Sequence, residues 1–165
     1  MTQPFANMLL AAARKVGSRE ELSCLAILEY AATSQLLQIA LQHEIAHAGL
    51  TEPGFVILVT LRASESGALF RSDLGPATGL SPMRVESAVF RLETSHLVDR
   101  HRDPADRRLV LLRLTPSGRE RVDHALGQYV AAVTKTMRFF EPADLSACLD
   151  FGAKIRSGTV AISGA

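Results

Sequence analysis

The sequence predicts a mainly α-helical fold with one small β-hairpin, in the order helices, helix-turn-helix, hairpin, helices. Three observations carry this. Apolar residues recur at steps of three and four through the first third of the chain and again through the last, the period of amphipathic helices. Between these regions, "LVDRHRDPADRRLVLLRLT" (Leu97 to Thr115) changes to two extended arms about a polar turn, Asp103-Pro104-Ala105-Asp106. Helix punctuation is also well placed. Gly17, Gly49 and Gly79 are stops, while Thr51, Ser81 and Thr115 stand just ahead of prolines as starts. The 165 residues suffice for one domain with a sizeable core.

Taken in order, Gln3 to Val16 is expected to form a short helix stopped by Gly17. Ser18, with Glu21 three residues on, has the spacing of a capping box. It opens a long helix to about Ala48, where Gly49 can end it. On that helix Leu22, Leu25, Ala32, Leu36, Ile39 and Ala46 make one apolar stripe, and Ile27, Tyr30, Leu37, Leu41 and Ile45 make a second. A helix apolar on two faces needs two partners: its own core and a second copy of the chain. Thr51 caps a helix from Pro53 to about Ala63. Ser72 starts a short one through Thr78, weakened by Gly75 and Pro76. Gly79-Leu80-Ser81-Pro82 turns into a helix that sends Val85, Val89 and Leu92 inward and ends near Ser95-His96. On the second hairpin arm Val110, Leu112 and Leu114 share a face. Thr115-Pro116 opens a helix to about Phe139, and Pro142 a last one to about Ile155.

Composition narrows the function classes. Tryptophan is absent and aromatics are 5% of the chain, so the core must be mostly Leu, Val, Ile and Ala. No uninterrupted apolar run is long enough to span a bilayer, and the N-terminus lacks the features of a signal peptide. A cytoplasmic protein with no membrane partner is expected. Cys24 and Cys148 lie outside any paired spacing and read as reduced thiols. Cys24, among Leu22, Leu25 and Leu28, reads as a buried inert thiol, and Cys148 as a core residue of the last helix. No cofactor is expected.

The net charge of +1 gives no sign of nucleic-acid binding, but the distribution does. Residues 81–121 hold nine arginines and no lysine, against six acids. Met83, Arg84, Glu86, Ser87 and Arg91 lie off the Val85/Val89/Leu92 face and could meet base edges in a major groove. Arg107 and Arg108 at the hairpin tip could reach backbone or minor groove. The rival reading is a solvated basic face on a structural hairpin.

"QHEIAHAG" (Gln42 to Gly49) contains His43-Glu44-Ile45-Ala46-His47, the H-E-x-x-H pattern of zinc hydrolases. Histidines four apart share a helix face, but catalytic zinc needs a third protein ligand. The extended form of the motif fails, since Gly49 is one place early and Pro53 stands where the third histidine belongs. His43 and His47 fall in phase with Leu25, Ala32 and Leu36, which favours packing at an interface. A zinc-dependent hydrolase stays as the alternative from another class, beside a metal- or protonation-sensing role.

The order of elements and the wording of residues 79–122 decide between these. "GLSPMRVESAVFRLETSHLVDRHRDPADRRLVLLRLTPSGRERV" closely resembles the winged helix-turn-helix of the MarR family of bacterial transcription regulators. The matching pieces are Gly79-Leu80-Ser81-Pro82, Leu97-Val98, Asp103-Pro104-Ala105-Asp106-Arg107-Arg108 and Leu114-Thr115-Pro116-Ser117-Gly118, with "AGLTEPGFVIL" (Ala48 to Leu58) as the entry to an earlier helix. His96 stands where that family usually has glycine after the recognition helix, and Phe90 where it commonly has a polar or acidic residue.

The resemblance implies a single MarR-like domain over 1–165. Residues 51–115 would form the winged helix-turn-helix, and 1–48 with 116–165 the helical dimerisation part. It implies a homodimer that binds double-stranded DNA at a pseudo-palindromic operator, a repressor or activator and not an enzyme. Met83, Arg84, Ser87 and Arg91 would face the major groove. Arg108 would enter the minor groove, held by Asp106, with Arg107 on phosphate, and Ser72 and Ser81 would offer helix-start donors to the backbone. A small, often aromatic effector would sit between the dimerisation helices and the winged part, with His43 and His47 as candidate liners. The early position of Cys24 on the long helix is similar to that of the family's redox-sensing cysteine, so a redox-sensing regulator of the same fold is a further alternative.

Overall fold

The computed structural model describes residues 3–102 and 109–163. Asp106, Arg107 and Arg108 lie outside the described residues. The elements are α1 (Gln3–Val16), α2 (Ser18–His47), α3 (Glu52–Ala63), β1 (Ala68–Phe70), α4 (Arg71–Thr78), α5 (Pro82–Thr94), β2 (Val98–Arg102), β3 (Val110–Leu114), α6 (Pro116–Thr136) and α7 (Pro142–Ser163). The fold is mainly helical with a small antiparallel sheet, as the sequence predicts. The chain divides into two compact units, Met1–Tyr129 and Val130–Ala165.

The sheet has three strands, not two, in the order β1-β3-β2. β3 is central: Ala68 pairs with Arg113 on one side and Val98 with Leu114 on the other. β1 is too short to show an alternating period, so only its pairing reveals it. Other differences are local. Gly17 occupies the N-cap of α2 without a side-chain bond, and Glu21 accepts from Arg14 Nε at 2.8 Å instead of closing a capping box. α4 starts one residue early, so Ser72 sits inside its first turn and bonds to Asp73 Oδ1 at 3.0 Å. Pro76 does not break α4, which is anchored by the fully buried Leu74 and continues to Thr78. α7 runs well past Ile155 to Ser163.

The helix ends follow their expected chemistry. Thr51 Oγ1 accepts from Gly54 N at 3.3 Å, and Thr115 Oγ1 from Gly118 N at 2.9 Å. α2 and α5 stop in the same way. Gly49 (φ 73°) and His96 (φ 55°) take the left-handed conformation. Leu50 N then bonds to Ile45 O at 3.2 Å, and Leu97 N to Leu92 O at 2.9 Å. His96 therefore adopts the backbone that its replacement of glycine demands.

The core of the first unit is aliphatic. Ile57, Leu58, Leu61, Leu74, Leu112 and Val122 are fully buried, and Val85, Val89 and Leu92 join them from α5. α2 contributes Ile45 near its end but leaves most of its apolar side chains uncovered, including Leu22, Leu25, Leu36 and Ile39. By length and composition alone α2 could cross a membrane, which amends the expectation from uninterrupted runs: the single charge of Glu29 barely dilutes an otherwise apolar stretch. Within the second unit Cys148 is exposed rather than in a core. Cys24 is half-buried, not sealed.

Candidate nucleic-acid interface

α5 is held by its inner face and presents its outer one. Val85, Ala88, Val89 and Leu92 are buried, which turns Met83, Arg84, Ser87 and Arg91 to the exterior. These four and the start of α3, at Thr51 and Pro53, border one shallow groove of about 380 Å³. Phe90 shares the outer face, at helical spacing from Met83 and Ser87. Met83 is 80% and Phe90 67% exposed, so the centre of the face is apolar, with Arg84 and Arg91 along its α3 side and Glu86 and Glu93 along its β2 side. Ser81 occupies the N-cap of α5 but makes no cap bond, leaving its hydroxyl outward. Ser72 is exposed on α4 and lies with Pro76 and Pro82 along a different cleft, between α4 and α5. The predicted α5 residues are thus brought together, whereas Ser72 stands apart.

Among the described residues, four arginines of 81–121 separate into two kinds. Arg100 on β2 lies between two carboxylates of α5, 3.9 Å from Glu86 and 3.6 Å from Glu93. Arg121 Nη1 donates to Ala48 O at 3.1 Å, tying α6 to the end of α2. These two are structural. Arg84 is 53% exposed, with a 3.7 Å contact from Nη2 to Glu52 Oε2. Arg91 is exposed as well. The sequence reading missed Glu52, because its partner is far along the chain and no local pattern marks it. It also missed Arg71, which pairs with Glu86 at 2.8 Å. Phe90, which in the sequence stands where the resembled family commonly has a polar or acidic residue, belongs to this outer face.

A second cavity, of about 360 Å³, opens between α2, α3 and α6. Phe55 and Tyr129 stack on its wall with ring centroids 5.6 Å apart. Its polar side chains include Ser34, Gln38, Gln42 and Glu52, and Gln42 Nε2 donates to Glu52 Oε2 at 3.2 Å. His43 and His47 are not among its lining residues. Both are exposed on α2, with ring centroids 4.4 Å apart. The reason is phase: the α2 face bearing Leu41 and Ile45 closes on the cavity, and the histidines point off it. Among the described residues no three His, Cys, Asp or Glu side chains group into a metal site, so the third ligand a zinc hydrolase needs is missing among them.

No family profile and no curated protein matches the chain. Solved structures do. AbsC, a MarR family transcriptional regulator from Streptomyces coelicolor, is 30% identical; the match covers 87% of this chain and 95% of AbsC, with a TM-score of 0.69. BpsR from Bordetella bronchiseptica, whose DNA binding is regulated by 6-hydroxynicotinic acid, is also 30% identical, over 76% of this chain and 98% of BpsR, with a TM-score of 0.59. Sco3205, a MarR family regulator from S. coelicolor solved in complex with DNA, shares the fold at 24% identity and a TM-score of 0.71, over 85% of this chain and 87% of that one. With an exposed, arginine-bearing α5 beside a small sheet, and a 30% identical relative matched over nearly its whole length, the chain belongs to the MarR family of transcriptional regulators.

Proposed function

We propose that the protein is a cytoplasmic, sequence-specific regulator that binds double-stranded DNA as a homodimer on a pseudo-palindromic operator, under the control of a small molecule. The outward face of α5 is the observation that carries this reading. Arg84 and Arg91 suit guanine edges or phosphate, and Ser87 is small enough to let the helix approach. Met83 and Phe90 suit the 5-methyl groups of thymine. Ser72 and Ser81, both exposed near helix starts, suit phosphate contacts. Arg107, Arg108 and Asp106 keep their proposed wing roles: phosphate, minor groove, and the carboxylate that orients Arg108.

The dimerisation part would be residues 1–48 and 116–165, around the winged part at 51–115. The uncovered apolar side chains of α2 support a second copy of the chain as their cover. Effector control is supported by BpsR, which shares 30% identity, and by the cavity between α2, α3 and α6. Regulation does not call for catalysis, so no enzymatic role is assigned.

The test is selection of bound duplexes from a random pool, followed by titration of the enriched site and a scrambled duplex at several salt concentrations. Enrichment of a two-fold symmetric sequence is expected. Arg84→Ala should weaken the selected site by about 1–3 kcal/mol and relax preference at one position per half-site. Arg107→Ala should weaken both duplexes alike, with a salt slope shallower by about 1 per contact removed. A pool that shows no enrichment would sink the reading.

A further inference from the structure

Glu52 stands at a junction. It opens α3, lines the cavity between α2, α3 and α6, and faces the reading helix. Its Oε2 accepts from Gln42 Nε2 at 3.2 Å and lies 3.7 Å from Arg84 Nη2. One carboxylate oxygen thus joins a cavity wall to an α5 side chain placed for DNA. The cavity has the opposite polarity to one built for an aromatic acid. Among its lining residues are a carboxylate, two carboxamides and the hydroxyls of Ser34 and Tyr129, but no Lys, Arg or His. Beside these polar groups stand the Phe55 and Tyr129 rings. An anion entering this space would meet the Glu52 carboxylate with no cation among the lining residues, since Arg84 contacts Glu52 but is not one of them. An ammonium would find a carboxylate, amide oxygens and an aromatic face, each favourable to positive charge.

We propose that this cavity takes a small aromatic amine with its ammonium on Glu52, and that its occupancy reaches DNA through Arg84. The ammonium and the Arg84 guanidinium compete for the same carboxylate. When the cavity fills, Arg84 loses the partner that limits its rotamers, so docking on DNA orders a freer side chain. The coupling is reciprocal: an operator that docks on Arg84 while Glu52 holds it keeps the carboxylate occupied, and so weakens amine binding by the factor with which amine weakens operator binding. The DNA half of this proposal rests on the regulator reading above, but the ligand half does not.

Tyramine and 4-hydroxyphenylacetate are a suitable pair of probes, alike in ring and length and opposite in charge. Calorimetric titration of the full chain without DNA reads the cavity alone. Tyramine is expected to bind at least about tenfold more tightly than the acid. Glu52→Gln should abolish that preference. Arg84→Ala should strengthen tyramine binding, because the competing cation is gone, a result that a merely structural role for Arg84 does not give. Saturating tyramine should then weaken the selected operator in the wild type and leave Glu52→Gln unaffected. Equal or tighter binding of the acid, no binding of either probe at millimolar concentration, or an unchanged preference in Glu52→Gln overturns the proposal. If tyramine binds as described but no duplex is selected, the regulator reading fails and the cavity assignment stands.

Discussion

Gly118 lies against the carbonyl oxygen of Leu97 so closely that a Cβ on it would collide with that oxygen. The contact brings the first turn of α6 onto the entry to β2. Thr115 reinforces it by accepting from Gly118 N and donating to His96 O, both at 2.9 Å. The glycine of the Leu114-Thr115-Pro116-Ser117-Gly118 motif is thus fixed by close packing.

Gly118→Ala should therefore destabilise the protein by about 1–3 kcal/mol, since backbone must move to admit the methyl group. Gly127, in the same helix, would place a Cβ in open space, and Gly127→Ala should stabilise by about 0.5–1 kcal/mol. Urea denaturation of both variants checks the pair. Equal effects at the two glycines would refute the packing account.

His96 holds a left-handed backbone (φ 55°) that glycine adopts without strain. His96→Gly is expected to raise stability by up to about 1 kcal/mol, part of the relief being offset by the greater freedom of glycine in the unfolded chain. The side chain is exposed, so little packing is lost. A fall in the thermal midpoint would mean that the imidazole has a favourable role of its own.

The exposed Met83 and Phe90 lead to a base-level expectation. Replacing thymine by uracil at single positions of a selected operator should weaken binding by about 0.8 kcal/mol for each methyl group buried. Phe90→Ala should remove the penalty at one such position and Met83→Ala at another. If uracil is tolerated throughout by the wild type, the apolar centre of α5 does not read thymine.

Arg14 ties α1 to α2 through Glu21, with Nη2 2.5 Å from Oε1. The hydrogen bond from Arg14 holds the Glu21 carboxyl below its ordinary pKa, aided by the arginine's charge. The stabilisation is therefore complete above the ordinary carboxylate pKa and is lost as pH falls through the lowered one. The pair is solvent-exposed, so its effect is local and screened by salt. Protection of α1 amides against hydrogen exchange, corrected for intrinsic rates, should fall as pH drops below the ordinary carboxylate range and through the lowered pKa of Glu21, and much less so in Glu21→Gln. Identical pH profiles would remove the clamp from the account.

Much of the fold was legible because its signals are local. Thr51, Gly49, Thr115 and His96 act within a few residues of themselves, and Val85, Val89 and Leu92 show their inward face by phase alone. β1 was not legible, since three residues carry no period and Ala68 gains meaning only opposite Arg113. The capping box failed because Arg14 is a stronger partner for Glu21 than a backbone amide. At the candidate site, the exposed face of α5 followed from phase. Glu52 did not, because no spacing rule links it to Gln42 on one helix and Arg84 on another. The histidines show the opposite case: their spacing is a known pattern, yet neither lines the cavity between α2, α3 and α6.

Arg100 sits between Glu86 and Glu93, so the strand leading into the hairpin is pinned to the helix that faces outward. Glu86 and Glu93 stand about two turns apart on α5, so the two ion pairs hold the strand to the helix at two points. One added base pair between what the helix touches and what the hairpin touches would shift the second contact by about 3.4 Å and turn it round the duplex. A pinned strand cannot follow that displacement. On the proposed regulator reading, half-sites of constant internal length are expected.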